Sequence, residues 1–313
     1  MLDRRRLLGT ALAGAFAPGL GVARPREDAS LDGLWTVATY TELERPEGLK
    51  TLVLDDATAR AWETKLAATG GVNVGGPDHI GQAASEFPET GSGLMRIDGQ
   101  IRSSIIIDPA DGQIPYTKAG KAAVGIEPRR RLSVDDPEGR PHSERCLASE
   151  NGGAPILPSP DTNLVQIVQT ADWVAIHSEK FHDVRVVRIG APRDPAVRPS
   201  WLGQSVGRWE GRTLVVETEG FHAGYTERAF GFFISERTRV VERFTRAGPR
   251  AIRYAFEVSD PQLYEQPWRG ELMFGVSPQP MFEYACHEGN YSLANVLAGG
   301  RTTQAAASGA PAR

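Results

Sequence analysis

From residue 164 onwards, short strand-like runs recur with a turn signal between most neighbours, and that rhythm restricts the chain to a sheet folding back on itself. Runs at 164–170 and 173–178 flank the tight turn Ala171-Asp172, and a third covers 182–189. Runs at 205–210 and 213–219 flank Gly211-Arg212, and those at 237–246 and 251–259 flank Ala247-Gly248-Pro249. Runs at 268–276 and 282–286 complete the set. This pattern predicts a mainly β fold: an antiparallel meander forming a lipocalin-like barrel or sandwich. Alternation is clean in one run, where Ile252, Tyr254, Phe256 and Val258 share a face opposite Arg253 and Glu257. Its neighbour breaks the rule. If Val240 and Phe244 point inward, so does Glu242. A buried carboxylate is costly unless paired, so Glu242 reads as a cavity-lining acid, as the partner of an arginine, or as an acid at the rim.

The part before residue 161 is irregular and carries one or two short helices. A strand follows Asp32-Gly33, and Asp56 can cap a helix over 57–68 ended by Gly70-Gly71. A loop rich in Gly, Pro and Ser spans 70–93. A strand at 102–108 runs into the turn Asp108-Pro109-Ala110-Asp111-Gly112, and a short helix over 117–124 precedes a polar, Pro-rich stretch at 127–160. The expected organisation is one β-rich domain over 31–298, irregular to 160 and barrel-forming from 161 to 298. The small, polar tail 299–313 is expected to be disordered.

The first residues carry an address. Asp3-Arg4-Arg5-Arg6-Leu7-Leu8-Gly9 is followed by an apolar, Ala/Gly-rich run to Val22, and Gly21-Val22-Ala23 offers small residues to a signal peptidase. Residues 1–23 read as a cleaved twin-arginine signal peptide. The apolar run contains Pro18 and is shorter than the ~20 residues a span needs, so no stable membrane anchor is expected after cleavage. The protein is expected in the periplasm or secreted. There, Cys146 and Cys286 pair as a disulfide if geometry allows; two buried thiols or one reactive thiol are the alternatives. The formal charge is −4 and no long basic stretch follows the signal, the triplet Arg129-Arg130-Arg131 being too short, so nucleic acid is not an expected partner.

Several signatures are absent: the Gly-rich phosphate loop, the nucleophile elbow, the zincin helix and paired C-x-x-C. No nucleotide cofactor or iron–sulfur cluster is therefore expected. Three clusters remain. His177, Glu179, His182 and Asp183 lie where one strand turns into the next, and a histidine beside acids suits general acid or base work. The same groups could bind a divalent metal, which is the minor reading. Tyr284, Cys286, His287, Glu288 and Tyr291 form a second dense stretch. Trp209 and Glu210 flank a hairpin turn near Trp201, and Trp209 reads as a core anchor or as a ligand platform.

Several stretches together resemble a widespread family of exported, largely uncharacterised bacterial proteins. They include Leu31-Asp32-Gly33-Leu34-Trp35-Thr36, Leu43-Glu44-Arg45-Pro46, Glu144-Arg145-Cys146-Leu147 and Gln166-Ile167-Val168-Gln169-Thr170. The most specific are Gly207-Arg208-Trp209-Glu210-Gly211 through Val215-Val216-Glu217-Thr218, and Tyr284-Ala285-Cys286-His287-Glu288-Gly289-Asn290-Tyr291-Ser292-Leu293. The resemblance implies export and a β-rich fold. It draws attention to His182, Asp183, His287 and Glu288, which lie in matching motifs, whereas His177 does not.

The leading expectation is an exported, cofactor-independent enzyme doing proton-transfer chemistry (lyase, isomerase or hydrolase) on a small, largely apolar or aromatic molecule. His182 would act with Asp183 or Glu179, and His287 with Glu288 would form a second pair. Trp209, Tyr284, Tyr291 and Glu242 would line the ligand. The alternative is a periplasmic, lipocalin-like binding or carrier protein for a small apolar ligand.

Overall fold

A computed structural model describes residues 29–68, 91, 93–125, 134, 136–149, 152–159, 162–224, 226–229 and 232–308. Residues 1–23, read above as a signal peptide, most of the loop 70–93 and the arginine triplet lie outside the described residues. In the irregular part run β1 (Gly33–Thr36), β2 (Val53–Leu54), helix α1 (Asp56–Ala68), β3 (Arg96–Ile97), β4 (Gln100–Arg102), β5 (Ile106–Asp108) and α2 (Lys118–Val124). Then follow β6 (Leu164–Gln169), β7 (Trp173–Ser178), β8 (Val184–Ile189), β9 (Gln204–Glu210), β10 (Thr213–Glu219), β11 (Thr226–Ala229) and β12 (Phe232–Ile234). Last come β13 (Arg239–Gly248), β14 (Ala251–Ser259), β15 (Trp268–Val276) and α3 (Tyr291–Ser308).

Nine strands close into a barrel in the order β1-β6-β7-β8-β9-β10-β13-β14-β15, with β1 pairing back onto β15 at Trp35↔Val276. The expected lipocalin-like barrel is therefore the fold, with one departure from a pure meander. The pair β8 and β9 is parallel, Val187 opposite Ser205, because 190–203 carries the chain from one barrel end back to the other instead of turning it in a hairpin. Gly207 serves this pairing: a Cβ there would stand 2.7 Å from Val187.

Call the end holding Ser178, Val184, Ser205, Thr218 and Trp268 the upper end. The hairpin turns at 171–172, 211–212 and 249–250 mark the lower one. Towards the lower end the interior is filled by apolar side chains: Trp35, Ile167, Val174, Leu214, Phe244, Ile252 and Phe274 are all buried in one cluster. Ring centroids of Phe244 and Tyr254 lie 4.9 Å apart, and those of Tyr254 and Phe274 5.0 Å. Burying each such ring contributes about 2–3 kcal/mol. Trp209 belongs to this cluster and is 7% exposed, so it is a core anchor and not a ligand platform.

Three local expectations need correction. Asp55, not Asp56, caps α1: its carboxylate accepts from the Thr58 and Ala57 backbone N–H groups, and the Thr58 bond leads in lowering its pKa. The stretch 282–286 is not a strand; it is irregular chain held by side-chain contacts and a disulfide. The tail is not disordered from 299: α3 runs to Ser308. Asn290 Oδ1 accepts from the Leu293 N–H at the start of α3, alanines favour its continuation, and Gly300 is where α3 passes Val134 too closely for a Cβ, 2.2 Å away. Among the described residues no helix is long and apolar enough to cross a membrane.

Candidate functional site

Glu242 does point into the barrel and is fully buried. Arg185, on the inward parity of β8, meets it with two bonds, 2.6 Å to Oε2 and 2.8 Å to Oε1. The Tyr254 hydroxyl donates to Glu242 Oε1 at 2.8 Å and accepts from the Ile156 backbone N–H at 2.8 Å. Desolvation and the Glu242 charge both push the Tyr254 pKa well up, so the phenol stays a donor. Burial opposes the charge on Arg185, but Glu242 more than offsets it and raises the guanidinium pKa. Nε of Arg185 is buried with no acceptor among the described residues.

Asp183 lies nearby but faces away from its neighbour in sequence. It is buried, and Oδ2 accepts from both the N–H and the hydroxyl of Ser149 at 2.7 Å. Arg228 of β11, fully buried, donates to Ser149 O at 3.3 Å and Trp201 O at 2.6 Å. Burial, opposed by Asp183 and Glu242 and aided by Arg185, lowers its pKa to about 10. It remains a cation at neutral pH. Asp183 therefore anchors the chain at Ser149 and does not orient His182, contrary to the expected pairing.

His182 sits in the turn between β7 and β8, which the Ser178 N–H closes onto Asp183 O at 2.8 Å. The turn forces Phe181 and His182 into left-handed backbone, φ 62° and 55°. Such positions cost about 1–3 kcal/mol each for residues with a Cβ and cluster at functional sites. His182 is exposed; its Nε2 accepts from the Tyr284 N–H at 3.4 Å and its ring stacks on His177 at 5.9 Å. Glu179 is buried, with Oε1 accepting from the Phe282 N–H at 2.8 Å. It fastens the C-terminal stretch to this turn.

His177 is part-buried. Desolvation first, then the neighbouring His182, hold its pKa below the ordinary histidine value, while Glu179 and Asp183 oppose. The native state thus disfavours the imidazolium relative to the unfolded chain. The stability this confers is complete above about pH 6.5 and is lost as pH falls through the depressed value. We predict that His177→Gln flattens the decline of the urea midpoint between about pH 7 and pH 5; wild type and variant falling in parallel would contradict this.

Cys146 and Cys286 form a disulfide across 140 residues. It joins the segment 140–146 to the C-terminal stretch, and between them opens a cleft of about 700 Å³. Phe181, Tyr284, Leu293 and Val296 supply apolar wall, and Arg140, Glu144 and Asn290 polar wall. Phe181 and Tyr284 meet edge to face at 5.1 Å. Arg140 is bound by both oxygens of Glu144, at 2.8 and 2.9 Å. Asn290 Nδ2 donates to Glu144 O at 2.7 Å.

The expected catalytic set does not come together in this cleft. Tyr284 lines it, and His182 borders it only through Phe181 and Tyr284. His287, Glu288 and Tyr291 are exposed, and neither the His287 nor the Glu288 side chain bonds to a described residue. No group of three metal-ligating side chains is assembled among the described residues. Sequence reasoning missed Phe181, Arg140 and Asn290, as well as Arg185, Arg228 and Ser149. Arg185 alone had a usable signal, the inward parity it shares with Val187 and Ile189.

No family model, no curated protein and no solved structure matches the chain significantly.

Proposed function

We propose that this is a small-molecule binding protein whose site is the cleft beside Cys146 and Cys286. One observation carries the reading: the cleft has aromatic and aliphatic walls and an internally neutralised Arg140–Glu144 pair, while the exposed His182 and His287 do not line it. Such a lining suits a small ligand with an apolar or aromatic body and a few hydrogen-bonding groups. The twin-arginine start supports export to the periplasm or beyond, where the disulfide is maintained. The motifs that resemble those of exported bacterial proteins fit the same location.

Titration calorimetry with 2-naphthol and 2-naphthoate tests the site. Tyr284→Ala removes an aromatic wall and is expected to weaken binding about tenfold, with His182→Ala/His287→Ala binding like wild type. Equal affinity in wild type and Tyr284→Ala would overturn the assignment.

The enzymatic reading retains one specific support, the stacked His177–His182 pair with His177 biased towards the neutral, base-competent form. It predicts turnover of a bound ligand that disappears in His177→Ala/His182→Ala while binding persists. Turnover unchanged in that double variant would dispose of it.

A further inference from the structure

The upper end of the barrel is closed by chain that belongs to no sheet. Residues 152–157 take neither helix nor strand, yet Ala154, Ile156 and Leu157 are buried in the main core. Among the described residues, no backbone–backbone hydrogen bond joins 148, 149 or 152–157 to the rest of the chain. The stretch is held by side chains: Asp183 on the Ser149 N–H and hydroxyl, Arg228 on the Ser149 carbonyl, and the Tyr254 hydroxyl on the Ile156 N–H. The barrel strands beneath are tied by long ladders, as in the register of β13 with β14. A segment with side-chain anchors only opens at lower free energy than a ladder.

What the segment covers is unusual for a structural core. Arg185 and Glu242 lie under it as a desolvated ion pair, with Thr218 and Ser205 hydrogen-bonded to each other beside them. Closing the segment removes water from these groups at a cost, and opening it returns the water. The orphaned Arg185 Nε adds to that cost. The segment itself behaves chemically as an occupant: an apolar Ala154-Pro155-Ile156-Leu157 body presenting one N–H donor to Tyr254. Its seating is tight. A Cβ on Gly153 would lie 2.4 Å from the Arg228 guanidinium, which is itself held by Ser149 and Trp201.

We propose that 152–157, anchored at Ser149, is a releasable plug, and that beneath it the barrel holds a second binding site for a small apolar molecule bearing one N–H or O–H donor. The donor replaces Ile156 N–H on the Tyr254 hydroxyl, and the body replaces the Ala154–Leu157 side chains. This site is separate from the cleft and does not depend on the cleft reading.

Hydrogen exchange on the full, oxidised chain tests the plug, and N-phenyl-1-naphthylamine, an uncharged aromatic with a single N–H, tests the site. Peptides covering 152–157 are expected to exchange at least about 100-fold faster than those of β13 and β14. Gly153→Ala, which crowds the plug out without altering the barrel wall, is expected to speed that exchange further. It should also raise saturable one-to-one binding of the probe about tenfold, a gain that survives Tyr284→Ala and so does not arise in the cleft. Adding Tyr254→Phe is expected to cut that binding roughly fivefold. Should Gly153→Ala fold poorly, Ser149→Ala loosens the same plug by removing a hydroxyl bonded to Asp183. The proposal is overturned if 152–157 exchanges only as fast as the β13–β14 ladder in wild type and plug variant alike. It is equally overturned if plug variants bind no more probe than wild type, or if Tyr254→Phe leaves the gain intact.

Discussion

Glu242→Leu alone is expected to destabilise the protein by about 3–5 kcal/mol, and adding Arg185→Met to recover most of that loss. Arg185 is as buried as its partner, so the single substitution strands a guanidinium whose remaining hydrogen-bond partner among the described residues is Thr218 Oγ1, 3.5 Å away. It also removes the acceptor of the Tyr254 hydroxyl. The double substitution removes both charges and leaves side chains of comparable bulk among Phe244, Phe256 and Val240. Urea midpoints and slopes for the four members of the cycle measure this directly. If the double variant were as unstable as the single one, the pair would be contributing net stability, and the argument that closing the plug over it carries a desolvation cost would lose its basis.

The same pair shows how far the sequence could be read. On β13 the inward parity of Val240, Glu242 and Phe244 placed the carboxylate in the barrel, and its pairing with an arginine was among the stated alternatives. The identical reasoning on β8, where Arg185 precedes Val187 and Ile189, would have supplied the partner. Period-two patterns and hairpin turns made the barrel legible because each strand's interior face must be apolar whichever neighbour it meets. Asp183 was harder. It stands between an exposed histidine and the exposed Val184, and the left-handed backbone at Phe181 and His182 precedes the turn of its carboxylate inward to Ser149.

Elements without a periodic signature were not legible. The plug carries no alternation, since it fills a barrel mouth instead of lying on a sheet, and its contacts come from positions some 30 to 100 residues away along the chain. The hairpin of β11 and β12 packs on the upper end, where Phe232 meets Trp268 edge to face at 5.0 Å, and its buried faces reflect that packing and not a strand period. The C-terminal helix was obscured by Gly299-Gly300, which ordinarily argues against a helix, whereas here Gly300 is required by the approach of Val134. The cleft draws its walls from three separated stretches, 140–144, 181 and 283–296, so no local motif could have announced it.

Removing the disulfide by Cys146→Ser/Cys286→Ser is expected to lower stability by about 3–5 kcal/mol and Tm by roughly 5–10 °C, and to abolish the cleft's ligand binding. The link spans 140 residues, so its loss frees the unfolded chain of a long closed loop, the case in which the chain-entropy effect is largest. The effect on the site is separate and local. Without the link, the exposed hydrogen bond from Asn290 Nδ2 to Glu144 O still ties the segment 140–146 to the C-terminal stretch. That bond is worth only about 1 kcal/mol and does not hold the Arg140–Glu144 wall against Tyr284 and Leu293. Thermal unfolding and 2-naphthol binding of the double-serine variant, compared with wild type before and after reduction, separate the two effects. A variant that melts lower yet binds normally would leave the disulfide a constraint on the unfolded chain only, and the cleft would then owe its shape to the Glu179–Phe282 contact. A variant that melts like wild type would mean that the unfolded chain is already compact around these residues, since the loop-closure argument requires an expanded one.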